Sequence, residues 1–293
     1  MSATSHETDR PLLDVRDLAV SYDVGGALRK RPLAVVQDVS FEIRPGETLG
    51  LVGGSGSGKS TTGRAILRLV EASGGSIDFD GVDVTAMGRT TPLSYRRDVQ
   101  AVFQDPAASL NPRHTVGSAV TTALRRHGIG SKAERLDAAA SAFERVGLAR
   151  SHLSRFPNQM SGGQLQRVAI ARALALKPRL VVCDEAVSAL DLSTQGQIIN
   201  LLADLQADTG VSYLFIAHDL GIVRHISDRI AVMHQGRIVE QGRAERIFDH
   251  PQHAYTRKLL AATPASTPHG RERRRARRLA HRGQQVDTAP SGV

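Results

Sequence analysis

The chain is poor in cysteine and in long apolar runs. Cys183 is the only cysteine among its 293 residues, which excludes an internal disulfide and a zinc or iron–sulfur site built from several cysteines of this chain. No apolar run approaches the ~20 residues of a membrane span, and the opening MSATSHETDR has no apolar segment typical of a secretory signal. We therefore expect a protein that does not cross a bilayer by itself and that works in the cytoplasm.

Acidic residues are outnumbered by basic ones, and the excess charge is unevenly distributed. The formal charge is +9 at pH 7, and residues 271–293 hold seven arginines against two acids, so this segment alone carries +5. A run of this kind is usually solvated and disordered, with contact to RNA or anionic lipid as the alternative. We therefore infer no nucleic-acid function from the charge, and we expect residues 264–293 to form a basic, disordered tail.

Glycine and serine are concentrated in one stretch that follows the apolar run 48–52. The stretch consists of Gly53, Gly54, Ser55, Gly56, Ser57, Gly58, Lys59, Ser60 and Thr61. It matches G-x-x-x-x-G-K-[ST] between a predicted strand and a predicted helix over 59–71, as a phosphate-binding loop requires. Its backbone N–H groups would surround a β-phosphate, Lys59 would reach the β- and γ-phosphates, and the Ser60 hydroxyl would bind Mg²⁺. The sequence therefore predicts a nucleoside triphosphate site rather than a flexible loop or a dinucleotide site.

The rest of the chain alternates strand-like and helix-like segments. Predicted strands lie at residues 12–20, 35–43, 76–79, 99–104, 179–183 and 211–217, with a hairpin over 230–240. The clearest predicted helices lie at residues 133–146, 162–176, 194–205, 221–226 and 254–262. This order predicts an α/β fold in which helices cover a mainly parallel sheet, a β layer precedes the phosphate loop, and residues 115–176 form a helical insertion.

Two further segments carry groups suited to a nucleotide. The apolar strand 180–183 ends in Asp184 and Glu185. An acid beside a phosphate loop can hold Mg²⁺ through water, which suits Asp184, and the next acid can position an attacking water, which suits Glu185. Residues 160–167 place two glycines at the start of a long helix, where free N–H groups and the helix dipole favour an anion.

Residues 160–167 resemble the signature motif of the ABC ATPase family, and the resemblance covers about residues 12–262. It implies a P-loop NTPase core of ABC type with an N-terminal antiparallel β layer and an inserted helical subdomain. It also implies that the signature contacts the γ-phosphate of ATP bound to the other subunit. The signature residues are Ser161, Gly162, Gly163 and Gln164.

The same resemblance assigns roles to residues outside the signature. It implies that Gln104 senses Mg²⁺ and relays to a membrane partner, that His218 contacts the γ-phosphate as a switch, and that Tyr22 stacks on adenine. Mg²⁺ would be held by Ser60, Gln104 and Asp184, partly through water. The loop that crosses the dimer interface would be formed by Ser188, Ala189, Leu190 and Asp191.

Four segments resemble the oligopeptide and dipeptide importer ATPases, which have nickel and glutathione relatives. These segments are residues 23–32, 103–113, 183–191 and 247–260. The resemblance implies an ATP hydrolase, peripheral to the cytoplasmic face of the cell membrane, that serves two separate transmembrane permease subunits. It also implies a second ATPase chain, identical or different, and an indirect partnership with an extracytoplasmic solute-binding protein. Peptides are the favoured cargo; nickel, glutathione and other small solutes are the alternatives.

Two features depart from this subfamily. No cysteine follows Cys183, whereas many relatives have a C-terminal cysteine cluster, and Gly54 stands where relatives commonly have an acidic or larger residue. We expect Gly54 to leave the phosphate-binding amides in place and to loosen the loop slightly. The rival hypothesis is a soluble ABC ATPase acting on nucleic acid or ribosomes. It normally requires two cassettes, a coiled coil or zinc-binding cysteines, none of which is found, so nucleic acid is not an expected partner.

These observations predict four parts along the chain. Residues 1–11 form a disordered N-terminal segment. Residues 12–242 form the ABC ATPase nucleotide-binding domain, which contains the helical subdomain at about 115–176. Residues 243–263 form an extension of oligopeptide-importer type, and residues 264–293 form the tail.

Overall fold

The computed structural model describes residues 10–25 and 31–262. The predictions for most of the N-terminal segment, for the basic tail and for part of the loop at 23–32 therefore fall outside the described residues. Within these ranges, no helix is both long enough and apolar enough to cross a membrane.

Ten strands and nine α-helices are formed by the described residues. The strands are β1 (Leu13–Val24), β2 (Arg31–Ile43), β3 (Thr48–Val52), β4 (Gly74–Phe79), β5 (Val82–Asp83), β6 (Val99–Phe103), β7 (Leu180–Asp184), β8 (Ser212–Ala217), β9 (Arg229–His234) and β10 (Arg237–Arg243). The helices are α1 (Lys59–Ile66), α2 (Leu93–Asp98), α3 (Val116–Arg126), α4 (Lys132–Arg145), α5 (Gly162–Leu174), α6 (Leu192–Thr209), α7 (Leu220–Ile226), α8 (Ala244–Asp249) and α9 (Ala254–Ala262).

The strands form two sheets. The first is antiparallel, in the order β2-β1-β4-β5, with β1 and β2 paired from Leu13 opposite Ile43 to Val24 opposite Arg31. The second has the order β10-β9-β3-β8-β7-β6, and its strands from β9 to β6 run parallel. The α/β fold with an antiparallel layer, as predicted from the sequence, is therefore confirmed.

The central sheet is covered on both faces. Every residue of β3, β7 and β8 is buried, as their nearly continuous apolar sequences require. Successive residues of β8 alternate between two cores. Tyr213 and Phe215 belong to the core that includes helices α3, α4 and α5, and Leu214 and Ile216 belong to the core beneath the antiparallel sheet. This alternation follows from the two-residue period of a strand.

The parallel register brings several strand ends to one edge of the central sheet. Val52 of β3 lies opposite Ala217 of β8. Asp184 of β7 lies opposite Ile216 on one side and Phe103 of β6 on the other. The phosphate loop and the residues that follow β6, β7 and β8 therefore lie along the same edge.

Several elements differ from their predicted bounds. α1 ends at Ile66 instead of residue 71, because Arg68 adopts a left-handed backbone with φ of 55°. α6 is longer than predicted; the Asp191 carboxylate caps its first turn, and Gly210 ends it with φ of 68°. α2 and α8 were not predicted, because six residues are too few to show a helical period.

Candidate nucleotide-binding site

The phosphate loop connects β3 to α1 and is closely packed from behind. A Cβ at Gly53 would lie 2.2 Å from the carbonyl oxygen of Met233 in β9. Gly58 has φ of +100°, and a Cβ there would lie 2.8 Å from the carbonyl oxygen of Val35. Backbone atoms cannot swing aside as a flexible side chain can, so both positions require glycine.

Lys59 lies buried at the base of this loop. Its Nζ donates to the carbonyl oxygens of Gly53 at 3.0 Å and Gly54 at 2.9 Å. Burial lowers the pKa of Lys59, while the negative charges of Glu185 and Asp184 act in the opposite direction. A buried cation next to a turn of backbone N–H groups suits a phosphate.

Two serine hydroxyls of the loop are placed to bind a phosphate and a metal ion. The Oγ of Ser57 is buried and has no hydrogen-bond partner within the described ranges, so a phosphate oxygen would satisfy it. The Oγ of Ser60 donates to the Oδ1 of Asp184 at 2.7 Å. Burial raises the pKa of Asp184, and the hydrogen bond from Ser60 partly opposes that effect.

This serine–aspartate pair fits Mg²⁺, which takes oxygen ligands and usually keeps several waters. No group of three or more His, Cys, Asp or Glu side chains in the described part of the chain is arranged to hold a metal ion. Phosphate and water oxygens would therefore have to complete the coordination of Mg²⁺, as is usual where the metal arrives with a nucleotide.

Glu185 and His218 follow two neighbouring strands, β7 and β8. The Glu185 N–H donates to the Ile216 carbonyl at 3.0 Å, and the Glu185 backbone is left-handed with φ of 51°. Its Oε1 lies 3.8 Å from the Nδ1 of His218, with the two side chains 25% and 58% exposed respectively. A partly exposed carboxylate held in a strained backbone conformation beside an imidazole is suited to proton transfer.

Residues 188–191 connect this carboxylate to α6. The Ser188 hydroxyl donates to the Glu185 carbonyl at 2.9 Å. Asp191 accepts from the Thr194 N–H at 3.0 Å and from the Thr194 hydroxyl at 2.7 Å. The segment is therefore anchored to Glu185 at one end and to the start of a helix at the other.

The signature segment begins α5 and lies against the start of α6. Ser161 and Gln164 form a capping box, in which each side chain accepts from the other residue's backbone N–H, at 3.3 and 3.0 Å. A Cβ at Gly163 would lie only 2.6 Å from the Cγ2 of Thr194. Within the described residues, no hydrogen bond or ion pair joins the signature to the phosphate loop.

Gln104 and Tyr22 lie at the margins of this arrangement. Gln104 directly follows β6, next to the strand that ends in Asp184, and is exposed. Tyr22 is half-buried on β1, opposite Leu33 of β2. These positions put Gln104 at the same sheet edge as the carboxylates and Tyr22 in the neighbouring antiparallel sheet.

The predicted site residues differ in exposure. The buried ones are Gly53, Ser57, Gly58, Lys59 and Asp184. The partly buried ones are Tyr22, Gly54, Ser60, Thr61, Gly163, Gln164, Glu185, Ser188 and Leu190. The exposed ones are Ser55, Gly56, Gln104, Ser161, Gly162, Ala189, Asp191 and His218.

One contact to the phosphate loop was not predicted. The Gly54 N–H donates to the hydroxyl of Tyr255 in α9, at 2.9 Å. The two residues are 201 positions apart, and no local pattern connects them. Only the proximity of α9 to the loop could have revealed this contact.

In this site a parallel sheet leads through a glycine-rich loop into a helix, and a carboxylate at a strand end contacts the loop serine. These features define the class of P-loop nucleotide-binding proteins. The family model described as "ABC transporter" matches residues 36–188. The chain belongs to the ABC transporter family, in its ATP-binding branch. A second family model, "Oligopeptide/dipeptide transporter, C-terminal region", matches residues 239–292. The family resemblance expected from the sequence is therefore confirmed.

Curated relatives include glutathione import ATP-binding proteins. The chain is 52% identical over 274 residues to the "Glutathione import ATP-binding protein GsiA" of Salmonella choleraesuis (strain SC-B67), a match that covers 92% of this chain and 43% of the relative. It is 53% identical over 263 residues to the protein of the same name from Escherichia coli O157:H7, covering 88% and 42%. The chain thus spans less than half the length of these curated relatives.

Solved structures with the same fold are ATP-binding cassettes. One is a dimeric post-hydrolysis state of an ATP-binding cassette bound to ADP and Pi, with a TM-score of 0.71 and 29% identity, covering 79% of this chain and 98% of that one. Another is cbiO1 from Clostridium perfringens, described as part of the ABC transporter complex cbiONQ, with a TM-score of 0.71 and 27% identity, covering 82% and 91%.

Proposed function

We propose that the chain is the ATP-binding and ATP-hydrolysing subunit of an importer for small peptides, glutathione included. The observation that carries the enzymatic part is the hydrogen bond from Ser60 to Asp184, directly beside the Glu185–His218 pair. These four side chains combine a Mg²⁺ site with a candidate base at the mouth of a phosphate loop.

Each residue of this constellation has a proposed task. Lys59, the loop N–H groups and the Ser57 hydroxyl bind the phosphates. Ser60 and Asp184 hold Mg²⁺, with Gln104 reaching it through water; bound Mg²⁺ neutralises charge on the phosphate oxygens.

The remaining tasks concern the attacking water, the terminal phosphate and the adenine ring. Glu185 orients the attacking water and accepts its proton, and His218 steadies the carboxylate and contacts the terminal phosphate. Tyr22 supports the adenine ring.

We further propose that two ATPase chains, identical or different, complete each other's sites. The signature residues Ser161, Gly162, Gly163 and Gln164 would contact nucleotide held by the opposite chain. The absence of any hydrogen bond between the signature and the phosphate loop among the described residues supports this arrangement. The segment Ser188, Ala189, Leu190 and Asp191 would carry the state of Glu185 to the interface, because its two ends are anchored to Glu185 and α6.

The transport role is supported by the relatives. They are named as glutathione import ATP-binding proteins, and the second family model is that of the C-terminal region of oligopeptide and dipeptide transporters. Glutathione is itself a tripeptide, so both lines agree on a small peptide cargo. We propose two transmembrane permease subunits as direct partners on the cytoplasmic face of the membrane, a solute-binding protein outside it, and a division into residues 12–242 and 243–263.

The first test is purification of a tagged Glu185→Gln chain from gently solubilised membranes with ATP and Mg²⁺. We expect retained ATP binding, little hydrolysis, and co-purification of two multi-spanning subunits identified by mass spectrometry. Glu245→Gln, an exposed acid on α8, is the matched control and should hydrolyse ATP normally. Full turnover by Glu185→Gln would refute its role, and ribosomal proteins in place of membrane subunits would refute the importer.

The cargo is tested separately, on the reconstituted transporter with its own binding protein. Glutathione and dipeptides should accelerate ATP hydrolysis and accumulate in the vesicles. Acceleration by Ni²⁺ alone would exclude the peptide assignment.

A further inference from the structure

The C-terminal helix α9 reaches the phosphate loop through a single side chain. The Tyr255 hydroxyl accepts the Gly54 N–H at 2.9 Å, and the Gly54 carbonyl accepts Lys59 Nζ at 2.9 Å. Both backbone polar groups of Gly54 are therefore bound by side chains, one from α1 and one from α9. The N–H and the carbonyl of Gly54 belong to two successive peptide groups, so these bonds fix the orientation of both peptides in the first half of the loop.

Tyr255 is itself held in place. Its ring stacks on His234 at the end of β9, with ring centroids 3.8 Å apart and an interplanar angle of 21°. The residues before it are tied to β10, because Glu240 accepts the N–H groups of Gln252 at 2.7 Å and His253 at 3.0 Å. The hydroxyl is therefore presented to the loop by a preorganised support.

The loop is also fastened to the β9–β10 turn. The Gly236 N–H donates to the Ser57 carbonyl at 3.1 Å, and Gly53 packs against the carbonyl of Met233. The phosphate loop is therefore held by β9, by the β9–β10 turn and by Tyr255. Of these three contacts, the one with Tyr255 is made by the C-terminal region.

The Tyr255 hydroxyl lies next to the space that a side chain at position 54 would occupy. A Cβ added at Gly54 would lie 3.1 Å from the Tyr255 Oη, and no other heavy atom beyond the two chain neighbours of Gly54 would lie within 4 Å. Gly54 is not among the residues with positive φ, so its backbone conformation does not disfavour an L-residue, and the crowding that a Cβ there would meet comes from this hydroxyl. The residue at position 54 and the position of Tyr255 are thus directly coupled.

We propose that Tyr255 is a positioning residue for ATP, through which the C-terminal extension sets the geometry of the phosphate loop. The inference rests on the proposed ATP-binding function. Tyr255 acts through Gly54 and Lys59, so loss of its hydroxyl weakens nucleotide binding without removing any group that touches the reacting atoms.

The test uses the full chain with Tyr255→Phe, which keeps the ring on His234 and removes only the hydroxyl. Tyr213→Phe is the matched control, because the buried Tyr213 hydroxyl has no hydrogen-bond partner among the described residues. Hydrogen exchange of the Gly54 amide in the nucleotide-free chain should accelerate about threefold or more in Tyr255→Phe and remain unchanged in the control. The Kd for a non-hydrolysable ATP analogue with Mg²⁺ should rise about three- to tenfold, the effect of one hydrogen bond, with kcat at saturating ATP within about twofold.

A double-mutant cycle with Gly54→Ala separates positioning from general packing. Gly54→Ala should weaken ATP binding in the wild-type background and weaken it less in the Tyr255→Phe background, where the hydroxyl no longer occupies the space. Equal effects in both backgrounds, or an unchanged Kd in Tyr255→Phe, would overturn the inference and leave the proposed function standing. A wild-type chain that binds no ATP would refute the proposed function and this inference together.

Discussion

Replacement of Gly163 by alanine tests the packing of α5 against the first turn of α6. The added Cβ would lie 2.6 Å from the Cγ2 of Thr194. Thr194 cannot rotate away freely, because its hydroxyl donates to Asp191 at 2.7 Å. Either this hydrogen bond breaks or α5 and α6 move apart.

The expected cost follows from two opposing terms. Overpacking of this kind costs about 1–3 kcal/mol, while alanine is favoured over glycine in a helix by about 0.5–1 kcal/mol. The midpoints of these two ranges leave a net loss of about 1 kcal/mol for Gly163→Ala. For a chain of this size, a loss of about 1 kcal/mol corresponds to a fall in Tm of about 2–4 °C.

The assay is thermal unfolding of four chains: wild type, Gly163→Ala, Thr194→Ser and the double variant. Thr194→Ser removes the Cγ2 and keeps the hydroxyl for Asp191, so the double variant should recover most of the lost Tm and also the ATPase rate. An unchanged Tm in Gly163→Ala, or strictly additive effects of the two changes, would show that no steric conflict exists at this contact.

Three further predictions concern the phosphate site. Lys59→Ala should raise the Kd for ATP about tenfold to a hundredfold, the effect of a charged hydrogen bond, and calorimetry that finds unchanged affinity would contradict the assigned role. The free energy of unfolding should be about 1 kcal/mol higher for Glu185→Gly than for Glu185→Ala, because only glycine accepts φ of 51° without strain. Neither variant should hydrolyse ATP, and equal stability of the two would argue against backbone strain at this position. Burial raises the pKa of Asp184 above its ordinary value of 3.8, so folding binds a proton there, and the associated stability is present below that value and lost as the pH rises through the folded pKa. Nucleotide-free Asp184→Asn should therefore melt higher than wild type at pH 7 and converge with it in acid, and a lower Tm at pH 7 would contradict this sign.

Much of the fold was predictable because local patterns were strong. The strands at 179–183 and 211–217 were predicted to within one residue, since continuous apolar runs of that length are typical of strands buried on both faces. The predicted end of α1 was wrong because the left-handed turn at Arg68 has no glycine to mark it. The short helices α2 and α8 have too few residues to establish a period.

The sequence by itself determined which chemical groups are present and in what order: the phosphate loop, the Asp184–Glu185 pair, the signature and His218 each depend on residues close together in the chain. Only the tertiary structure decided which of these groups meet. Ser60 reaches Asp184 across 124 positions, and Tyr255 reaches Gly54 across 201. Such contacts are set by which strands lie side by side and in what register, and that choice depends on burying the whole apolar surface at once, a property that no short segment carries.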